Sequence, residues 1–223
     1  MTKLLTSTED TIIARASAAG ITQPRFLKVW SHEMGHQFGG RHSFNNSCNG
    51  NRSNATAVEP GSGSTIMAYA GICAPNVQSN SDDHFHGVNM REIGLNITGD
   101  NCQVTTPLDN TAPVILELPE EILIPINTPF ALTAMATDED GDVLTYCWEQ
   151  MDATQATMPP VGTSNSGPLF RSLDPTVSPT RYFLNLDALF NGTDPTWEEL
   201  PILLLTLSLF SIPFVLLIVN LII

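Results

Sequence analysis

The sequence predicts an α+β chain built in three stretches. Residues 1–103 read as helical and loop-rich, residues 114–200 as an incomplete antiparallel β-sandwich, and residues 202–223 as an apolar helix. Three observations carry this prediction. A helix-spaced histidine pattern ends on glycines at 32–42, the apolar spacing changes after a Pro-, Thr- and Asn-rich linker at 104–113, and no charged residue occurs over 202–223.

The first stretch opens on Thr11–Ala19, Ala-rich enough for a short helix that ends at Gly20. Thr22 can cap a second helix with Pro24 in its first turn, where the missing N–H costs nothing. Phe26, Leu27, Val29 and Trp30 then supply an apolar face to pack that helix inward. It continues into His32-Glu33-Met34-Gly35-His36-Gln37-Phe38-Gly39-Gly40-Arg41-His42. On a helix His32 and His36 project from one face at ligand separation. Glu33 can reach a metal-bound water without ligating the metal. Gly39 tolerates the positive φ that stops the helix and turns the chain, so that His42 arrives as a third nitrogen. Three protein ligands with a fourth position open describe a catalytic rather than a structural zinc site.

Residues 43–63, rich in Asn, Ser and Gly, read as loop. They lead to Ser64-Thr65-Ile66-Met67-Ala68-Tyr69. With the histidine motif, this resembles the metzincin metallopeptidases, most closely the secreted bacterial reprolysin-like and pappalysin-like branches, over roughly residues 26–103. The resemblance implies a lower subdomain of zinc helix, methionine turn and C-terminal helix, with Met67 forming an apolar floor under the ligands. It implies hydrolysis of a polypeptide substrate, with zinc on His32, His36 and His42 and Glu33 as general base. It also makes Tyr69 a candidate zinc or oxyanion switch. The family has a substrate-binding sheet before its zinc helix, whereas residues 1–31 are too few to form one, so a fragment is expected, inactive or nearly so on its own. The alternative is a non-catalytic, surface-attached β-module with a vestigial zinc-binding hairpin.

Ser81-Asp82-Asp83 reads as a helix start, with Phe85, Val88 and Ile93 as an apolar face before Gly94. His84 and His86, two apart, would fall on different faces of that helix and are read as structural, not as a second metal pair. Beyond the linker, Phe130, Leu132, Ala134 and Ala136 alternate with Ala131, Thr133 and Met135, and Val143–Glu149 suits a half-buried strand. Between them Asp138, Asp140 and Asp142 make a tight acidic turn, a candidate weak calcium site although the sixth loop position holds Val143 instead of glycine. This stretch resembles the start of an Ig-like or cadherin-like module.

As a helix, residues 202–223 would span about 33 Å, enough for a bilayer core, which makes them a candidate transmembrane segment. A shifted reading frame after Pro201 would give the same run. The 9 Lys and Arg against 23 Asp and Glu, a net charge of −14, disfavour a nucleic-acid partner. Cysteines stand at 48, 73, 102 and 147 and allow three pairings that sequence does not rank. A bridge between Cys48 and Cys73 would brace the loop after the third ligand. No signal peptide is recognisable, yet the reading as a whole places the protein outside the cell or at its surface.

Overall fold

The computed structural model describes residues 24–99, 104, 106, 109–116, 121–193, 195–202, 206–212 and 217–222. The helix expected over Thr11–Ala19, the Thr22 cap and Cys102 lie outside them.

Helix α1 (Pro24–Gln37) carries the histidine motif and α2 (Gly87–Gly99) packs beside its end. Between them the chain is loop, held by side chains rather than by a sheet. Its buried apolar residues are Phe44, Ala57, Val58, Ile66, Met67 and Ala68, joined by Val88 and Ile93 of α2. A buried carboxylate organises this loop. Glu59, 1% exposed, accepts the Ser43 hydroxyl at 2.5 Å, the Ser64 N–H at 2.7 Å and the Thr65 hydroxyl at 2.5 Å. These bonds offset the desolvation that an isolated buried carboxylate would suffer.

Beyond α2 the described residues form short strands joined by long loops, with one short helix. In order come β1 (Val114–Ile115), β2 (Glu121–Leu123), β3 (Phe130–Thr133), β4 (Ala136–Thr137), β5 (Cys147–Gln150) and β6 (Thr180–Phe183). Helix α3 (Leu186–Asn191), β7 (Thr206–Ile212) and β8 (Leu217–Ile222) follow. Pairs β1–β4 and β3–β6 are antiparallel, and a four-stranded sheet runs β2-β8-β7-β5 with β2 and β8 parallel. Leu132 and Ala134 point into a core with Trp148, Leu169, Phe170 and Phe183, while Ala131, Thr133 and Met135 face outward. That is the alternation the sequence predicts.

Hydrogen bonds cross between the helical and strand parts. Asn45 Nδ2 donates to the Thr154 carbonyl at 3.1 Å, and Asn45 Oδ1 accepts the Ala156 N–H at 3.0 Å. Arg52 Nη2 donates to the Ala153 carbonyl at 2.5 Å.

Four expectations are corrected. Residues 206–212 and 217–222 are strands, not a transmembrane helix, and β7 pairs with both β5 and β8. Pro213 would remove an intrahelical bond, and the Ile, Val, Thr and Phe content favours extended backbone. No helix among the described residues is long and apolar enough to cross a membrane. Helix α2 starts at Gly87, not at Ser81, and runs through Gly94 to Gly99. Val29 and Trp30 are about half exposed, because Ser31 and Gly35 form the inward face of α1. The acidic turn is tied by its own backbone, since Asp138 Oδ1 accepts the N–H groups of Asp140 and Asp142 at 3.0 and 3.1 Å. Asp140 Oδ2 accepts the Thr111 N–H at 2.5 Å. Among the described residues these carboxylates form no metal-capable group, so the calcium reading is unsupported. The small sheets are compatible with an α+β class and lend the Ig-like resemblance no support.

Candidate metal centre

Helix α1 ends because its last turn closes on glycine. The Gly40 N–H donates to the Gly35 carbonyl at 2.8 Å, the Gly39 N–H to the His36 carbonyl at 3.0 Å, and Gly39 has φ 88°. This is a Schellman closure, whose left-handed residue is easiest for glycine. It swings Arg41 and His42 back under the helix, where α2 holds the Arg41 backbone. Glu92 Oε2 accepts the Arg41 N–H at 2.9 Å and Asn89 Nδ2 donates to the Arg41 carbonyl at 2.7 Å.

His32, His36 and His42 meet there, their ligating atoms within 4.8 Å of one another. His36 Nε2 lies 3.1 Å from His42 Nε2. Each ring is oriented from behind through Nδ1. His32 Nδ1 bonds the Ile66 carbonyl at 2.8 Å, His36 Nδ1 the Gly40 carbonyl at 2.8 Å, and His42 Nδ1 the Asn51 carbonyl at 2.7 Å. A carbonyl only accepts, so each Nδ1 carries the proton and each Nε2 keeps its lone pair toward the centre. Burial lowers the pKa of His32 and His42, which favours the neutral rings a metal ion requires. Three neutral imidazoles at this separation fit zinc, whose bonds of about 2.0–2.1 Å need only a small closing of the trio.

Met67 is fully buried beneath the helix. A Cβ added at Gly35 would overlap its sulfur, so α1 sits on Met67 only because residue 35 has no side chain. The same turn supplies the Ile66 carbonyl that orients His32. Tyr69 packs between the three histidines and Phe44, its ring 4.6 Å from that of His42 and 4.5 Å from that of Phe44. Burial and the nearby Glu33 carboxylate raise its pKa, so the phenol keeps its proton. Glu33 is exposed beside the first histidine. Cys48 and Cys73 form a disulfide with Cα atoms 5.7 Å apart. The bridge closes the loop that presents the Asn51 carbonyl.

Residues 6–97 match the family model of the Metallo-peptidase family M12B Reprolysin-like. The match spans the three histidines, Glu33 and the methionine turn, and supports a zinc-dependent metallopeptidase over that stretch. No curated protein and no solved structure matches the chain.

Sequence reasoning missed the supports of this centre. The carbonyls of Ile66, Gly40 and Asn51 leave no trace in residue identity. Glu59 does leave one, as an acid directly before the glycine-rich turn Pro60–Gly63.

Proposed function

We propose that the chain carries a zinc-dependent endopeptidase centre that hydrolyses peptide bonds. The observation that supports this most is the set of three Nδ1–carbonyl bonds, which leaves three Nε2 lone pairs converging on one point. A zinc ion on His32, His36 and His42 supplies Lewis-acid polarisation of the scissile carbonyl and an acidified water. Glu33 takes a proton from the attacking water and hands it to the leaving amine, as a carboxylate at the mouth of the centre can. The Tyr69 hydroxyl, kept protonated, donates to the oxygen that becomes negative. Met67 and Gly35 set the height of the helix, and Glu59 holds the turn. The substrate is an extended polypeptide. We place the protein in an oxidising compartment, outside the cell or at its surface, on the strength of the Cys48–Cys73 bridge.

The test is cleavage of a quenched-fluorescence peptide library by the purified chain. Little or no cleavage by this chain alone is expected, and whatever cleavage occurs should be abolished by chelator, restored by zinc and absent in Glu33→Gln. A Glu33→Gln chain that binds zinc yet cleaves as fast as the parent overturns the assignment of the base. A parent that binds no zinc overturns the centre itself.

A further inference from the structure

A second cluster of donors lies where β5 meets the start of α2. Cys147 and Glu149 stand two apart on β5, so both side chains leave the same face of the strand. They are 8% and 1% exposed. Opposite them is the segment just ahead of α2. Glu149 Oε2 accepts the Gly87 N–H at 2.6 Å, and Oε1 accepts the Ser172 hydroxyl at 2.5 Å. That hydroxyl lies 3.0 Å from His84 Nε2, which is itself 3.8 Å from Glu149 Oε1. One ring nitrogen of His84, the Cys147 sulfur and one Glu149 oxygen lie within 4.8 Å of one another.

Hydrogen bonding alone leaves one feature of this cluster unaccounted for. His84 Nδ1 is buried without a hydrogen-bond partner among the described residues, and the charge nearest it is Asp174 Oδ1 at 3.7 Å. The Cys147 thiol donates to the Leu173 carbonyl at 3.3 Å and also lies within hydrogen-bond reach of Ser172 and Glu149. Cys147 and Asp174 also line a cavity of about 360 Å³, whose wall does not include His84 or Glu149.

We propose that His84, Cys147 and Glu149 form a second metal site, for a zinc-like divalent cation, with Asp174 orienting the His84 ring. A histidine that ligates through Nε2 turns its Nδ1–H toward a carboxylate, and Asp174 lies on that side. A thiolate, an imidazole and a carboxylate together select zinc over magnesium or calcium. Binding transfers the Cys147 thiol proton, and that of a charged His84, to solvent and replaces each with a bond to the ion. The ligating atoms draw together to the separations of a tetrahedral site, and the ion takes the place of the Ser172 bridge. The site would clamp β5 to the segment that supports the first centre. The His84 carbonyl accepts the Ile66 N–H at 3.0 Å, and the Ile66 carbonyl holds His32.

Cobalt titration of the metal-stripped full chain, with its disulfide intact, tests the proposal without reference to proteolysis. About two equivalents should bind, with a near-ultraviolet thiolate-to-cobalt charge-transfer band that three histidines cannot produce. Cys147→Ser should lose that band and about one equivalent while keeping the visible bands of the histidine centre, which also reports folding. His42→Ala should keep the charge-transfer band. A parent chain without the band overturns the proposal whatever the variants do. A band that survives Cys147→Ser overturns it as well.

Discussion

Two groups of histidines sit in this molecule, and they are held in opposite ways. His32, His36 and His42 come from one short stretch, and each Nδ1 is fixed by a backbone carbonyl. His84 sits on a seam whose other members arrive from residues 147–174, and its Nδ1 is left without a hydrogen bond. The first group is built locally, from a helix repeat and a glycine closure. The second exists only once the strand part has docked. A local centre can be assembled by its own loop, whereas the seam depends on, and reports, the union of the two parts.

The largest expected effect falls on the local group. Glu33→Gln should lower peptide cleavage by about 10²–10⁴-fold with zinc content unchanged, since it removes proton transfer and no ligand. Peptidase assay beside metal analysis checks this. The seam should respond in stability instead. Glu149→Ala strips a fully buried carboxylate from the Gly87 N–H, the Ser172 hydroxyl and two histidines. It should cost about 3–5 kcal/mol, read from urea unfolding.

Somewhat smaller is the pH response of the chelated chain. Burial works to raise the Glu149 pKa, but the charge of His86 and the hydrogen bond and charge of His84 outweigh it, holding the group at about 2 against an ordinary 4.5. A depressed carboxylate stabilises the fold above its unfolded value, so this contribution of about 3 kcal/mol should vanish as pH falls from 4.5 toward 2. For His84 burial is outweighed by Glu149 and the pKa is raised, so its share is full below 6.5 and fades as pH rises through its folded value. Stability in chelator should therefore peak between those limits, and Glu149→Gln should flatten the acid limb of a melting-temperature series. The smallest effect returns to the local group. Gly35→Ala pushes on the Met67 sulfur and should cost about 1–3 kcal/mol. Equal stability of Gly35→Ala and parent would show that α1 does not rest on Met67.

The same division decides what could be read in advance. The histidine cluster was legible because the helix spacing and the positive-φ stop that bring it together lie within eleven consecutive letters. The alternation around Leu132 and Ala134 was legible for the same reason. The supports of the ligands were not, because a carbonyl is present at every position and only the fold selects Asn51 or Ile66. Glu149 was passed over because its partners lie 23–65 residues away. The C-terminal run misled through length: an uncharged stretch of bilayer thickness and two paired apolar strands have the same composition. Pro213 and the β-branched content were the available signs.

The Cys48–Cys73 bridge has a practical consequence. The Asn51 carbonyl that aims His42 belongs to the loop this bridge closes, and the Asn51 N–H donates to the Cys48 carbonyl at 3.2 Å. Protein produced in a reducing cytosol, or purified with thiol reagents, would present two well-aimed histidines and a third that swings. Such a preparation would lose its metal on a desalting column and be recorded as inert, although every residue of the motif is in place. Oxidative folding before metal loading is the order of operations that this loop dictates.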